Sequence, residues 1–118
     1  MYDHIGLRVK NLEAAKKLYA AMLAPLGHVP GASGEGYAGF GPKGAPALWL
    51  HGTKNGGGAH VALRAKSTRE VDQFHAAGLK AGAKDNGAPG LRTDYAPNYY
   101  AAFLLDPDGN NVEAVCMR

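Results

Sequence analysis

Cysteine is nearly absent from this chain: Cys116 is the only one. No intrachain disulfide can form, so the fold must be held by packing and hydrogen bonds, as expected of a reducing compartment such as the cytoplasm. The thiol lies in an apolar strand and reads as a buried structural group. Long apolar runs are missing too. None approaches the roughly 20 residues that a membrane-spanning helix needs. The opening MYDHIGLRVK carries an acid early and no apolar stretch, so no secretory leader is expected there. Charge of one sign is not concentrated. Thirteen Lys and Arg face ten Asp and Glu, for a net charge of +3. The bases are scattered and interrupted by acids, without the basic stripe and interleaved aromatics that nucleic-acid binding requires. A mildly positive cleft for an anionic small molecule fits this balance better.

What the chain does have is a repeat. Residues 4–23 read HIGLRVKNLEAAKKLYAAML and residues 60–79 read HVALRAKSTREVDQFHAAGL, at an offset of 60 − 4 = 56. Without a gap, His4/His60, Leu7/Leu63, Arg8/Arg64, Lys10/Lys66, Ala20/Ala76, Ala21/Ala77 and Leu23/Leu79 are identical. Two such units nearly fill 118 residues, the length of one compact domain. The repeat predicts a single domain, 1–118, built of two modules, 1–52 and 59–118, related by pseudo-symmetry.

Each module reads βαβββ, which places the chain in the α+β class. Residues 2–10 alternate, with Ile5, Leu7 and Val9 on one side and His4, Gly6 and Arg8 on the other, which is the period of a half-buried strand. Asn11 can cap a helix over 12–24, stopped by Pro25 and Gly27. Short strands are expected near 28–32, 36–41 and 47–51, and glycines 52 and 56–58 separate the halves. The second module repeats the order: a strand over 60–66, then a capping box Ser67-Thr68-Arg69-Glu70 opening a helix over 68–81. Residues 83–98 read as loop-like, with room for one short strand. Strands follow at 99–105 and 111–117, joined by the tight turn Asp106-Pro107-Asp108-Gly109-Asn110.

Alternation then places side chains. If the helices cover Ile5, Leu7, Val61 and Leu63, the opposite faces carry His4 and His60. On the last strand Val112, Ala114 and Cys116 share one face, and Glu113 lies on the other, with the histidines, unless a bulge reverses the parity. Two neutral imidazoles and a carboxylate make a facial metal site with open positions. Such a set suits Fe(II), and also Mn, Ni or Zn. A metal there acts as a Lewis acid on substrate oxygens.

The duplication, the DHIGLRV opening, the AHVAL start of the second half and the DPDGNNVEAV ending together resemble the vicinal oxygen chelate superfamily, the glyoxalase, bleomycin-resistance and extradiol-dioxygenase group. The resemblance covers nearly the whole chain, and DPDGN followed by a strand glutamate is its most specific piece. It implies curved mixed sheets that form cups, a homodimer, and a divalent metal held by His4, His60 and Glu113, with Glu113 also at the catalytic centre. The site is expected within one chain or with His4 donated by a second copy. One position departs from the glyoxalase I pattern. The carboxylate that such members add from the first half falls near Trp49, which cannot bind a metal. That speaks against glyoxalase I activity and leaves the three-ligand pattern of extradiol dioxygenases and fosfomycin-modifying thiol transferases. His51 shares the face of Trp49 and is the remaining candidate donor there.

The resemblance therefore implies a small metal-dependent enzyme, of lyase, isomerase or dioxygenase type, acting on a small molecule with adjacent oxygens. The alternative is a metal-free protein that binds or sequesters a small ligand, as bleomycin-resistance proteins do, with the histidines as polar pocket residues. Glu113 has an alternative too, an ion pair with Arg8 or Arg64. Arg8, Trp49, His51, Arg64, Arg92, Tyr95 and Tyr100 are candidate pocket residues. Gly87–Tyr95 is either a lid, with Arg92 and Tyr95 on substrate, or a plain surface loop. His75 reads as packing or surface, and His28 as solvent-exposed. Gly34, Gly36 and Gly39 make no phosphate loop, because no lysine follows in register.

Overall fold

The computed structural model describes all 118 residues. The first module runs β1 (Ile5–Val9), α1 (Leu12–Leu23), a 3-10 turn (Ala24–Leu26), β2 (Val29–Gly34), β3 (Tyr37–Gly41) and β4 (Leu48–Gly52). The second runs β5 (His60–Arg64), α2 (Thr68–Lys80), β6 (Lys84–Leu91), β7 (Tyr99–Leu105) and β8 (Asn111–Met117). The caps form as their residues suggest. Asn11 Oδ1 accepts from the Ala14 N–H at 3.0 Å, Ser67 Oγ from the Glu70 N–H at 3.2 Å, and Glu70 Oε1 from the Lys66 N–H at 3.0 Å. No helix is long and apolar enough to cross a membrane.

Two four-stranded mixed sheets result, in the orders β1-β4-β3-β2 and β5-β8-β7-β6. These are the same order in each half, each with one parallel pair at the leading edge. Register carries the equivalence to single residues. Gly6 pairs with Trp49 across β1 and β4, and Ala62 pairs with Glu113 across β5 and β8. Since Gly6 and Ala62 are repeat mates, Trp49 and Glu113 are equivalent positions.

The helices lie on their own sheets and on each other. One contiguous core of 22 buried residues runs through both modules, from Leu7 and Val9 to Val112, Ala114 and Cys116. The repeat mates Met22 and Gly78 meet where the helices cross. A Cβ at Gly78 would come within 2.2 Å of Leu104 Cδ1 and 3.4 Å of Met22 Cβ. The missing side chain at Gly78 therefore makes room for Leu104 of β7, with Met22 beside it at contact distance.

A second tie is polar. Asp106 is buried, and its carboxylate accepts from Tyr19 Oη (2.7 Å), the N–H of Asp108 (2.8 Å), the N–H of Asn110 (2.9 Å) and Asn110 Nδ2 (2.9 Å). Asn110 Nδ2 also donates to the Arg8 carbonyl at 3.2 Å, and Asn110 Oδ1 accepts from the Ala59 N–H at 3.1 Å. The turn of the second module is thus bonded to α1 and β1 of the first. Gly57 lies against it at φ +68°, where an added Cβ would fall 1.8 Å from the Asp108 carbonyl oxygen, so only glycine fits.

Three expectations are corrected. The segment read as loop contains an eight-residue strand, β6. Its pairing with β7 shifts register between Asp85 and Gly87 and again between Gly87 and Gly90. Glycines, Pro89 and these shifts erase the period-two signal that a sequence reading needs. The lid reading of Gly87–Tyr95 fails over its first half for the same reason, since residues through Leu91 are paired to β7. His28 is half-buried, with Nδ1 lacking any partner, and burial holds its pKa below the ordinary value. His75 packs as one of its two readings expects: it is buried and bonded through Nε2 to Asp85 Oδ1 at 2.9 Å.

Tyr19 tests the polar tie. Its burial, with Asp106 alongside, raises its phenol above the ordinary 10.0. A raised folded-state value contributes stability that is present below pH 10.0 and is lost as pH climbs past it. We expect Tyr19→Phe to cost about 1.5–3 kcal/mol in urea unfolding at neutral pH with an unchanged slope, and to flatten the alkaline loss seen in the wild type.

Candidate functional site

The open face of the second sheet, turned away from α2, gathers a polar cluster. Glu113 sits mid-strand on β8, paired to Ala62 on one side and Phe103 on the other. It is 2% exposed although it is a carboxylate. Burial on this scale needs partners for both oxygens. His60 Nε2 meets Oε1 at 2.9 Å, and Tyr99 Oη donates to Oε2. An ionised carboxylate only accepts, so Nε2 carries the hydrogen in this arrangement. Partial burial of Tyr99, reinforced by the Glu113 carboxylate, pushes its phenol up to about 12.

Around this pair lies a cleft of about 380 Å³ lined by His60, Asn86, Gly87, Arg92, Tyr95, Phe103 and Asn111. His60 and Phe103 rings stand 6.4 Å apart, and Tyr95 meets Tyr99 edge-on at 5.1 Å. Arg92 Cζ lies 5.3 Å from the Phe103 ring centre. The structure therefore brings together His60, Glu113, Arg92 and Tyr95 from the sequence-derived set. The ion pair between Glu113 and Arg8 or Arg64 does not form: His60 is the only basic side chain within bridging distance of Glu113.

The open face of the first sheet is different. Trp49 lies over Gly39, where a Cβ would come within 2.6 Å of the indole, and beside Tyr37 at 6.2 Å. His51 lies over Gly6, 3.3 Å from where its Cβ would be. Arg8 pairs with His51 in register and is exposed, as are Gly6 on β1 and Ala62 and Arg64 on β5. Both open faces thus end on uncovered edge strands.

Within one chain His4 does not reach His60 and Glu113. It precedes β1, is exposed, and shares a 2.7 Å contact through Nδ1 with Asp3. It lines a separate, mostly apolar cleft with Tyr2, His28, Phe40 and Val61. No three His, Cys, Asp or Glu side chains in a single chain form a metal-holding group. The two that do meet have suitable spacing. Donors bound to one divalent ion at about 2.0–2.2 Å lie roughly 3 Å apart, and His60 Nε2 and Glu113 Oε1 are 2.9 Å apart.

Tyr100 is corrected as a pocket residue. Its hydroxyl donates to Asp72 Oδ1 of α2 at 2.6 Å and it pairs with Cys116, so it faces the helix side. The cluster uses its neighbour Tyr99 instead. The signal that distinguishes the two is the β7–β8 register, in which Phe103 opposes Glu113, and the tyrosine of matching parity is Tyr99. Asn86, Phe103 and Asn111 complete the cleft and carry no local motif that would mark them.

The profile of the glyoxalase/bleomycin resistance protein/dioxygenase superfamily matches residues 2–114. A glyoxalase/bleomycin resistance protein from Albidiferax ferrireducens is 31% identical, with a TM-score of 0.83, over 98% of this chain and 97% of its own. A family enzyme described as glyoxalase/bleomycin resistance protein/dioxygenase, from Burkholderia phytofirmans, shares the fold at 14% identity and a TM-score of 0.76, over 98% of each chain. A protein from Agrobacterium tumefaciens does so at 22% identity and 0.72, over 100% of this chain and 98% of its own. No curated protein shows significant similarity.

The cluster makes a spectroscopic test. Glu113→Gln removes the charge that helps hold Tyr99 protonated but leaves the burial. Tyrosinate absorbance should then show the Tyr99 transition falling from about 12 part of the way toward 10.0. A transition that stays in place would show that the two groups are not coupled.

Proposed function

This chain belongs to the glyoxalase/bleomycin resistance protein/dioxygenase superfamily, and on that premise we propose that it is a metal-dependent enzyme whose site spans a two-fold homodimer. His60 and Glu113 of one protomer and His4 of its partner would hold a divalent ion, of Fe, Mn, Ni or Zn type. The observation that carries this reading is the buried Glu113 carboxylate set 2.9 Å from His60 Nε2 on an open face. Two further features support the shared site. His4 is exposed and free of its symmetry mate, and each sheet leaves an open face beside an uncovered edge strand, an arrangement that favours pairing.

When bound, the ion would supply Lewis-acid stabilisation to adjacent substrate oxygens. The chain's own residues do the rest. Tyr99 engages Glu113 Oε2, so Oε1 is the oxygen left toward His60 and the cleft. Phe103, Tyr95 and Arg92 wall the cleft and orient a bound molecule. Trp49 stands at the position equivalent to Glu113, so the first half offers no carboxylate there. This favours a three-ligand chemistry of the lyase, thiol-transfer or ring-cleaving type over the glyoxalase I reaction.

A second reading has its own support. His60 and Glu113 already satisfy each other by hydrogen bonding within one chain, which suits a protein that binds a small ligand without a metal. Calorimetry with Mn, Fe, Ni and Zn salts separates the two. The enzyme reading expects one ion per site, and Glu113→Gln should weaken it by more than about a hundredfold while the fold survives. Subunit exchange then tests the sharing. Neither a His4→Ala homodimer nor a Glu113→Gln homodimer has an intact site, but mixing them creates heterodimers with one. Recovery of about a quarter of the wild-type metal capacity is expected. No uptake by the wild type would leave the metal-free reading, and no recovery on mixing would place the site within one chain.

A further inference from the structure

The guanidinium of Arg92 has no anion to meet. It is half-buried, yet none of the chain's ion pairs includes it. Its one bond to protein oxygen runs from Nη2 to the Ala88 carbonyl at 2.6 Å. A guanidinium has five N–H donors in a fixed fork, so most remain unspent. Phe103 gives it a ring face at 5.3 Å, a weak attraction that leaves the N–H donors free. No Asp or Glu lines the cleft into which it opens. The one buried carboxylate nearby, Glu113, has its oxygens engaged by His60 and Tyr99.

The strand beneath leaves room for this side chain. A Cβ at Gly87 would stand 3.2 Å from Nη2, and one at Gly90 would stand 3.2 Å from Nη1. The two glycines flank the register shift of β6 and keep the guanidinium's bed clear. The backbone of Arg92 is anchored as well, its N–H donating to the Tyr99 carbonyl at 2.7 Å.

We propose that Arg92 is the anchor for an oxyanion, so that the molecules taken by this face are small organic acids, carboxylates or phosphonates, whose body lies along Phe103 and Tyr95. A carboxylate or phosphonate accepts two parallel N–H bonds from the guanidinium fork, which a neutral group does not. The proposal rests on the reading that the open face of the second sheet is the ligand site, but not on the metal.

The test uses the full-length protein in EDTA, with the Arg92 Nε–H resonance and, in every variant, the backbone amide resonances of β6 and β7 followed by NMR during titration with benzoate, phenylphosphonate and neutral benzamide. Saturable shifts with at least one anion are expected, with benzamide at least tenfold weaker. Arg92→Gln should lose tenfold or more of the anion affinity. Arg92→Lys, which keeps the charge and loses the fork, should fall between. Gly90→Ala, which keeps Arg92 and crowds its bed, should weaken binding several-fold, with resonances outside β6 and β7 unmoved. The stronger of the two anions identifies the acid class. Equal binding of benzoate and benzamide, no saturable shift with either anion, or unaltered affinity in Arg92→Gln would overturn the proposal. Uptake of Mn, Fe, Ni and Zn by the wild type is measured separately by calorimetry. Anion binding without uptake of any of the four removes the metal site and keeps the anchor, and metal uptake without anion binding does the reverse.

Discussion

The Asp106 carboxylate is the point on which the two halves depend. A buried charge costs several kcal/mol unless every lone pair has a donor, and here the donors come from both modules. Tyr19 reaches it from α1, and Asn110 passes the connection on to the Arg8 carbonyl of β1. The turn that carries Asp106 also joins β7 to β8, so the same bonds that dock the modules hold the start of β8. Glu113 lies three residues beyond Asn110. Its place opposite Phe103 and Ala62 follows from a turn bonded to the other half of the molecule. The fold and the candidate site are therefore held by one network.

Duplication explains the architecture, and departures from it set the two open faces apart. Equivalent helices meet at Met22 and Gly78, where a side chain at 78 would collide with Leu104 of β7. Equivalent helix positions carry Tyr19, spent on Asp106, and His75, spent on Asp85. Equivalent strand positions carry Trp49 and Glu113. The last difference matters most. One open face is an aromatic floor laid over glycines and the other is a buried acid with an imidazole, a phenol and an uncompensated guanidinium around it. The proposed metal centre and the proposed anion anchor both belong to the second face.

Much of this is legible in the residues. The ungapped repeat implies two like modules, period two places His60 and Glu113 on one face, and the Asn11 and Ser67 caps locate both helices. Each of these signals is local, with causes that lie within a few residues. What escapes a sequence reading is non-local. β6 is concealed because Gly87, Pro89 and Gly90 break the alternation, while its existence depends on hydrogen bonds to β7. The choice between Tyr99 and Tyr100 turns on cross-strand register, which neighbouring residues do not encode.

The sequence by itself determined the class of fold, the number of modules, the starts of both helices and the face that His60 and Glu113 share, because periodicity, capping and turn chemistry act over a turn or a strand. Tertiary structure alone decided that His4 stands apart from that pair, that Tyr99 engages the second oxygen of Glu113, and that Arg92 folds over Phe103 without a counter-ion. Those relations depend on how two sheets are docked and registered. That docking is set by a buried carboxylate and a helix crossing whose partners lie between 56 and 102 residues apart along the chain (78 − 22 = 56 for Met22 and Gly78).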